Sequence, residues 1–160
     1  MFLRLSFNQQ NSILKEDIMK TIALRFADNF APTDGTIAEH NKVISELGYV
    51  WYGKLGSAIS QEVINELLNN SDPKFLLIHS GKTKRYWAHI VDIQRSIPTP
   101  EGIPSYYREQ ASQFKTWFKV IRIEEAPSTI VSRCKVVSSQ RPLSEASKIS
   151  MSPYFIIEIN

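Results

Sequence analysis

Residues 75–93 read Phe75-Leu76-Leu77-Ile78-His79-Ser80-Gly81, then Lys82-Thr83-Lys84, then Arg85-Tyr86-Trp87-Ala88-His89-Ile90-Val91-Asp92-Ile93. The first run is continuously apolar as far as His79, which is typical of a short strand buried on both faces. The second run is rich in aromatic and β-branched side chains, which suit a half-buried pleated surface. Gly81 and the polar turn between the two runs therefore predict a β-hairpin, around which the rest of the chain is arranged.

The sequence on either side of this hairpin predicts further strands and two early helices. Thr36 is placed to cap the first helix, with Glu39 three residues later as in a capping box, and Ser60 is placed to cap the second. Strand-like stretches occur at residues 21–26, 49–52, 116–125 and 154–159, with a weaker one at residues 129–137. We therefore expect an α+β domain, a small mixed β-barrel of about six strands with two N-terminal helices.

Residues 1–18 differ from the rest of the chain. Their apolar part is too short for a secretory signal, and no small-residue cleavage site follows it. We interpret residues 1–18 as a flexible N-terminal tail and residues 19–160 as a single domain.

Composition places the protein among ordinary globular chains. Of its 160 residues, 42% are hydrophobic and 22% are charged, and no apolar run approaches the length that spans a bilayer. The single cysteine, Cys134, excludes an internal disulfide and fits a reducing cytoplasm. Residues 1–80 hold 7 Lys and Arg against 9 Asp and Glu, a net charge of −2, whereas residues 81–160 hold 12 against 7, a net charge of +5. The basic half suits a phosphate-binding surface, although ordinary solvated cations would give the same count.

Motifs for catalysis and for cofactors are missing. The three histidines, His40, His79 and His89, lack a metal-ligand spacing and an accompanying acidic cluster, so we predict no metal site. No phosphate-binding glycine loop and no nucleophile-elbow frame occur, so we predict no cofactor and name no catalytic residue. His40 falls on the apolar stripe of the first predicted helix, and we interpret it as a buried, hydrogen-bonded residue.

Aromatic pairs are the most prominent chemical feature. They are Trp51-Tyr52, Tyr86-Trp87, Tyr106-Tyr107 and Trp117-Phe118. Each pair falls on a strand or at a strand–loop junction, so one ring of each can enter the core while the other faces the opposite side. An accessible ring can stack on a nucleobase, and neighbouring lysines and arginines can contact phosphates.

Several short motifs resemble a known superfamily. The run Phe75-Leu76-Leu77-Ile78-His79-Ser80 is similar to the strand motif ending in His-Ser of EVE domains, and Ser150-Met151-Ser152-Pro153-Tyr154 is similar to their closing segment. EVE domains belong to the PUA-like superfamily, together with YTH and ASCH domains. The stretch Trp51-Tyr52-Gly53-Lys54 resembles an aromatic-Gly-Lys element of related domains in restriction systems. The Trp-x-x-Val-Arg-Asn segment of EVE domains is absent, so the resemblance favours a PUA-like barrel over the EVE branch.

This resemblance implies a module that binds DNA or RNA and recognises a base, modified or flipped, in an aromatic pocket. The predicted base-binding residues are Trp51, Tyr52, Trp87, Tyr106, Ser80 and His79. The predicted phosphate-binding residues are Lys54, Lys84, Arg85 and Arg108.

Two other interpretations stay open. One is a nucleotide- or RNA-processing enzyme in which His79 or His40 is the general acid–base, which a histidine pKa near neutrality permits. The other is a protein-interaction or specificity subunit of a restriction or antiviral defence system, which would have an ATPase or nuclease partner.

Overall fold

The computed structural model describes residues 19–28, 31–79 and 81–159. The predicted flexible tail, residues 1–18, lies outside the described residues. Strands are β1 (Met19–Phe26), β2 (Val50–Leu55), β3 (Lys74–His79), β4 (Arg85–Gln94), β5 (Phe114–Glu125), β6 (Cys134–Val136) and β7 (Tyr154–Ile159). The α-helices are α1 (Gly35–Leu47), α2 (Gln61–Leu68), α3 (Ile130–Arg133) and α4 (Leu143–Ile149), and two 3-10 segments are η1 (Pro100–Gly102) and η2 (Ser105–Gln113).

The strands form one mixed sheet in the order β2-β5-β4-β3-β1-β7-β6. Strands β1 and β3 run parallel, and the other neighbours are antiparallel. The predicted hairpin is confirmed, because β3 and β4 pair with Leu77 opposite Tyr86 and Leu76 opposite Trp87.

The α+β class is confirmed, but the predicted number of elements is wrong. In the described part of the chain the sheet has seven strands rather than about six, and helices also follow β5. The weak strand expected at residues 129–137 begins instead with α3, and only Cys134–Val136 is extended. Pro127 starts this turn, and its carbonyl accepts the first hydrogen bond, from the N–H of Ile130.

The sheet is strongly curled. Lys54 on β2 places its Nζ 4.6 Å from the ring centre of Tyr154 on β7, although four strands lie between them in the sheet order. Five strand spacings of about 4.8 Å would separate these strands by about 24 Å in a flat sheet. Within the described ranges no hydrogen-bonded pair joins β2 to β6 or β7, so the sheet is a partly open barrel with β2 and β6 as its edges.

Strand β3 lies at the centre of two apolar layers. Phe75 and Leu77 face the inside of the curled sheet with α1 and α2, whereas Leu76 and Ile78 face the layer formed with α3, α4, β6 and β7. All four side chains are at most 3% exposed, which confirms the prediction of a strand buried on both faces. No helix in the described part of the chain is long and apolar enough to cross a membrane.

Candidate functional site

A cavity of about 510 Å³ opens between the end of β1, the first turn of α1 and the β3–β4 hairpin. It forms because β1 and β3 are parallel and end at the same edge of the sheet, where Phe26 and His79 are register partners. Its lining includes Phe26, Asp28, Thr33, Asp34, Gly35, Thr36, Ile37, His79, Lys82, Lys84 and Tyr86. We call this cavity the strand-end pocket.

Three rings border the strand-end pocket. The Phe26 ring meets the His79 ring edge-on, with the centroids 5.0 Å apart, and meets the Tyr86 ring at 6.3 Å. Phe26 is buried in the inner core, whereas Tyr86 and His79 are partly exposed. The pocket therefore has an apolar floor and two partly accessible rings.

Asp28 gives the pocket a fixed carboxylate. Its Oδ1 accepts a hydrogen bond from the backbone N–H of Thr36 at 2.9 Å, and its Oδ2 accepts from His79 Nε2 at 3.1 Å and from Lys82 Nζ at 3.2 Å. Partial burial acts to raise the pKa of Asp28, but the Thr36 N–H and Lys82 outweigh this effect and lower the pKa to about 2. Asp28 is therefore ionised at neutral pH.

The start of α1 differs from the prediction. The helix begins at Gly35, and Asp34 occupies the cap position without a side-chain cap hydrogen bond. Thr36 is inside the first turn, where the distant Asp28 satisfies its N–H instead of a local capping box. Glu39 contacts Lys42 at 2.9 Å. The Asp28 carboxylate, in the loop after β1, thus connects the end of β1 to the first turn of α1.

His79 has a defined tautomer. The backbone N–H of Gly81 donates to His79 Nδ1 at 2.9 Å, so the ring proton lies on Nε2 and is donated to Asp28. Both ring nitrogens are therefore engaged.

A hydrogen-bonded chain continues from Asp28 into the core. His40 Nδ1 lies 2.8 Å from the Thr36 carbonyl, and His40 Nε2 lies 2.9 Å from the Tyr107 hydroxyl, which is also 3.0 Å from the Trp51 carbonyl. Burial lowers the pKa of His40 to about 4, although the Thr36 carbonyl acts in the opposite direction. His40 is therefore neutral, donates from Nδ1 and is buried, as the sequence predicts.

Both ring nitrogens of His89 also have hydrogen-bonding partners. Nδ1 lies 3.0 Å from Asp72 Oδ1, and Nε2 lies 2.9 Å from Glu124 Oε1. Each of the three histidines in the sequence thus has both ring nitrogens in hydrogen-bonding contact. No observation favours the histidine acid–base interpretation over binding.

The predicted phosphate-binding residues separate into two groups. Lys84 is exposed and lines the strand-end pocket, and Arg108 is exposed on η2, with its Nε donating to the Ile103 carbonyl. Lys54 is 5% exposed and donates to the carbonyls of Leu55 and Ser57. Arg85 donates to the Lys82 and Lys84 carbonyls and so holds the hairpin turn. Lys84 is the predicted cation that the fold places at the pocket.

The two predicted stacking tryptophans are not brought together. Trp51 packs with Ile103, Tyr107 and Trp117, whereas Trp87 packs in the layer beneath α3 and α4. They are 7% and 6% exposed, and β5 lies between their strands. Little of either indole is left for a base.

Of the remaining predicted base-binding residues, His79 lines the strand-end pocket, whereas Tyr52 and Tyr106 are not part of its lining and lie near His40. Tyr52 is buried with its ring 4.9 Å from that of His40, and burial raises the pKa of its hydroxyl. Tyr106 is partly buried 6.5 Å from the same His40 ring. Ser80 lies outside the described residues.

Sequence reasoning missed Phe26 and Asp28. Both belong to the end of β1 and the loop after it. Their roles depend on the pairing of β1 with β3, whose register partners, such as Phe26 and His79, are 53 positions apart in the sequence. The available signal was an acidic residue just past a strand and before a helix, which is common in loops and therefore weak.

A second cavity, of about 530 Å³, lies beside β6, α4 and β7 and is lined by Ser138, Ser139, Arg141 and Phe155 among others. Arg141 is the cation of its lining, and Arg141 Nη1 is 3.2 Å from Glu145. The cation of the second cavity is therefore ion-paired, whereas Lys84 at the strand-end pocket is exposed. Within the described ranges no group of three His, Cys, Asp or Glu residues is arranged to hold a metal ion.

Comparison with protein families gives one result. A family model described as Pua-like matches residues 22–153. The chain belongs to the Pua-like family. Pua-like domains bind RNA or DNA in general, so membership indicates nucleic-acid binding at the level of the family. The comparisons with curated proteins and with solved structures found no match.

Proposed function

We propose that this Pua-like protein is a nucleic-acid-binding module that holds one base, modified or unmodified, in the strand-end pocket. The observation that carries the proposal is a cavity that combines partly accessible rings with exposed lysines at its rim. The family membership supports a nucleic-acid ligand, and the cavity supports a single base as the part that is recognised.

The dimensions of the strand-end pocket suit this role. Its volume of about 510 Å³ falls within the range of about 300–1,000 Å³ that is common for ligand pockets. A base must leave its stack to enter such a cavity, either from a single strand or by flipping from a duplex. Tyr86 and His79 offer rings for it, and base–aromatic stacking contributes roughly 1–3 kcal/mol per base.

The hairpin turn supplies the contacts to the backbone. Lys82 and Lys84 lie in the turn that follows β3 and line the pocket, so phosphates on either side of an inserted base would pass close to them. Positive charge on a turn beside an aromatic cavity fits a strand that runs across the hairpin.

Filling the cavity tests the proposal. Thr33 is exposed on the pocket lining, so Thr33→Trp adds an indole there without removing a cation. The matched control is Ser138→Trp, because Ser138 is exposed on the lining of the second cavity. Fluorescence anisotropy with short labelled DNA and RNA strands, at several salt concentrations, measures binding.

We expect salt-dependent binding by the wild type, at least a tenfold loss for Thr33→Trp and no loss for Ser138→Trp. Circular dichroism checks that both variants fold. Absence of binding to every strand, or a larger loss for Ser138→Trp, would reject the proposal.

A further inference from the structure

The three hydrogen-bond donors that the described residues supply to Asp28 differ in how firmly they are held. The Thr36 N–H belongs to the α1 backbone, and the His79 ring is fixed from its other side by the Gly81 N–H. Lys82 is different, because its side chain is 66% exposed. Its Nζ lies 3.2 Å from Asp28 Oδ2 and approaches that oxygen from the solvent side. Of the three donors, Lys82 is therefore the exchangeable one.

A nucleic acid would compete for Lys82. Exposed ion pairs such as Lys82–Asp28 contribute little to stability, and a phosphate placed at the hairpin turn attracts the same ammonium group. Once Lys82 moves, Asp28 Oδ2 faces the cavity with a vacant acceptor position. Asp28 keeps the Thr36 N–H and the His79 ring as hydrogen-bond donors, and these continue to stabilise its ionised form. A carboxylate left without this partner inside a cavity favours a ligand that donates a hydrogen bond.

We propose that the strand-end pocket selects a base that carries an exocyclic amino group, whose N–H takes the place of Lys82 on Asp28 while Lys82 contacts a phosphate. This inference rests on the proposed function and adds a chemical class of base to it. The amino group is the feature by which cytosine differs from uracil, and adenine from hypoxanthine. In uracil and hypoxanthine a carbonyl oxygen stands in its place and would face the carboxylate as a second acceptor.

The other carboxylate on the pocket lining does not offer the same position. Asp34 is bound to Lys42, with Oδ2 and Nζ 2.6 Å apart, and it lies at the start of α1 beside solvent. Lys42 is held by Glu39 as well, at 2.9 Å, so Asp34 keeps its cation when a phosphate reaches the hairpin. Among the described lining residues, Asp28 is the acidic group that loses its partner to the ligand.

Matched oligonucleotides test the inference. One single strand carries cytosine at a central position in a background without other amino bases, and its partner carries uracil there. A second pair carries adenine or hypoxanthine. We expect the wild type to bind the amino member of each pair about tenfold or more tightly, as for other hydrogen-bonded base discrimination.

Two variants separate the base contact from the phosphate contact. Asp28→Asn replaces one acceptor oxygen with an amide donor, so the preference for cytosine over uracil should disappear or reverse. Lys82→Gln leaves the carboxylate in place, so the preference should persist. Lys82→Gln should also weaken binding to both strands and reduce the salt slope by about one. Thermal unfolding checks the fold of Asp28→Asn. If Asp28→Asn is unstable, the base preference of Lys82→Gln still tests the inference.

The outcomes distinguish this inference from the proposed function. Equal binding of both members of each pair by the wild type, in a cavity that Thr33→Trp blocks, overturns the inference and leaves the proposed function standing. Loss of the preference in Lys82→Gln also overturns it. Absence of binding to all four strands overturns both.

Discussion

Two groups of aromatic rings in the described part of the chain differ in exposure, and one of the two borders the strand-end pocket. The closed group joins β2, β5 and η2, and its members Trp51, Tyr107 and Trp117 are at most 8% exposed. The open group, formed by Phe26, His79 and Tyr86, lies at the ends of β1 and β3 beside two lysines. The closed group contains more aromatic rings, and the open group borders the candidate site.

The difference follows from position along the strands. Trp51 and Trp117 lie within paired strands, where η1 and η2 cover them and where Gly53 and Gly102 let rings approach the backbone. Phe26 and His79 are terminal residues of their strands, where the chain turns away and a gap remains. A ring at a strand end is therefore a better candidate for ligand contact than a ring in a strand interior.

The largest effect on stability should come from removing a buried ring of the closed group. Trp117 is fully buried, so Trp117→Ala should lower the free energy of unfolding by about 3–5 kcal/mol. Tyr86→Leu, in the open group, should cost less than about 1.5 kcal/mol but weaken oligonucleotide binding. Urea denaturation and anisotropy of both variants measure the contrast. A similar stability loss in both would mean that the two groups do not differ as described.

A pH titration should sharpen the comparison, because His40 connects the two groups. The folded pKa of His40 is about 4 against an ordinary value of 6.5, so stability is complete above pH 6.5 and falls as the pH drops from 6.5 to 4. The loss should reach about 3 kcal/mol at pH 4. Asp28 has a lowered pKa of about 2, so its contribution to the free energy of unfolding is lost only below about pH 4. Urea midpoints between pH 8 and pH 4 measure the first window, and in His40→Gln the decline should disappear. An unchanged decline in that variant would assign it to other groups.

Two glycines compare the packing of the groups directly. A Cβ on Gly53 would lie 2.8 Å from Phe114 Cγ and 3.0 Å from Trp117 Cζ3, whereas a Cβ on Gly81 would come no closer than 3.7 Å to the His79 ring. Gly53→Ala should therefore cost about 1–3 kcal/mol, and Gly81→Ala about 0.5 kcal/mol or less. Thermal unfolding of the two variants tests this, and equal melting temperatures would contradict it.

The smallest effect is expected for Lys84, at the rim of the strand-end pocket. Lys84 is exposed, so Lys84→Gln should leave stability unchanged while it weakens oligonucleotide binding a few-fold and reduces the salt slope by about one. Lys148→Gln, an exposed lysine in the last turn of α4, is the matched control. An equal loss in both variants would indicate charge attraction without a defined path for the backbone.

Much of the fold could be predicted from local patterns. The unbroken run Phe75–Ile78 indicated a strand covered on both sides, and Gly81 with its basic neighbours indicated the hairpin; both predictions are confirmed. His40 was correctly assigned to the buried side of α1 because helical spacing depends only on nearby residues. Of the two predicted helix caps, Ser60 is confirmed, because its hydroxyl accepts from the Val63 N–H at the start of α2. Thr36 is not the cap of α1, and its N–H is satisfied from Asp28, eight residues earlier.

The site could be predicted only in part, for a geometric reason. His79 and Lys84 were named because they flank the hairpin turn. The contribution of Asp28 depends on the parallel pairing of β1 with β3, which no local pattern specifies. Trp51 and Trp87 were expected to share a pocket, but β5 separates their strands in the sheet, and strand order cannot be read from aromatic content.

The parallel pairing of β1 and β3 also bears on how the protein acquires its site. Ala23 pairs with Leu76 across more than fifty intervening residues, and such non-local contacts slow folding because a long loop must close first. The hairpin can form from neighbouring residues, but a peptide of residues 74–94 would carry the lysines without Phe26, Asp28 or the α1 turn. During synthesis the cavity can therefore appear only after β3 has joined β1. Until then the chain has cationic residues that attract a phosphate but lacks the cavity in which we propose that a base is held.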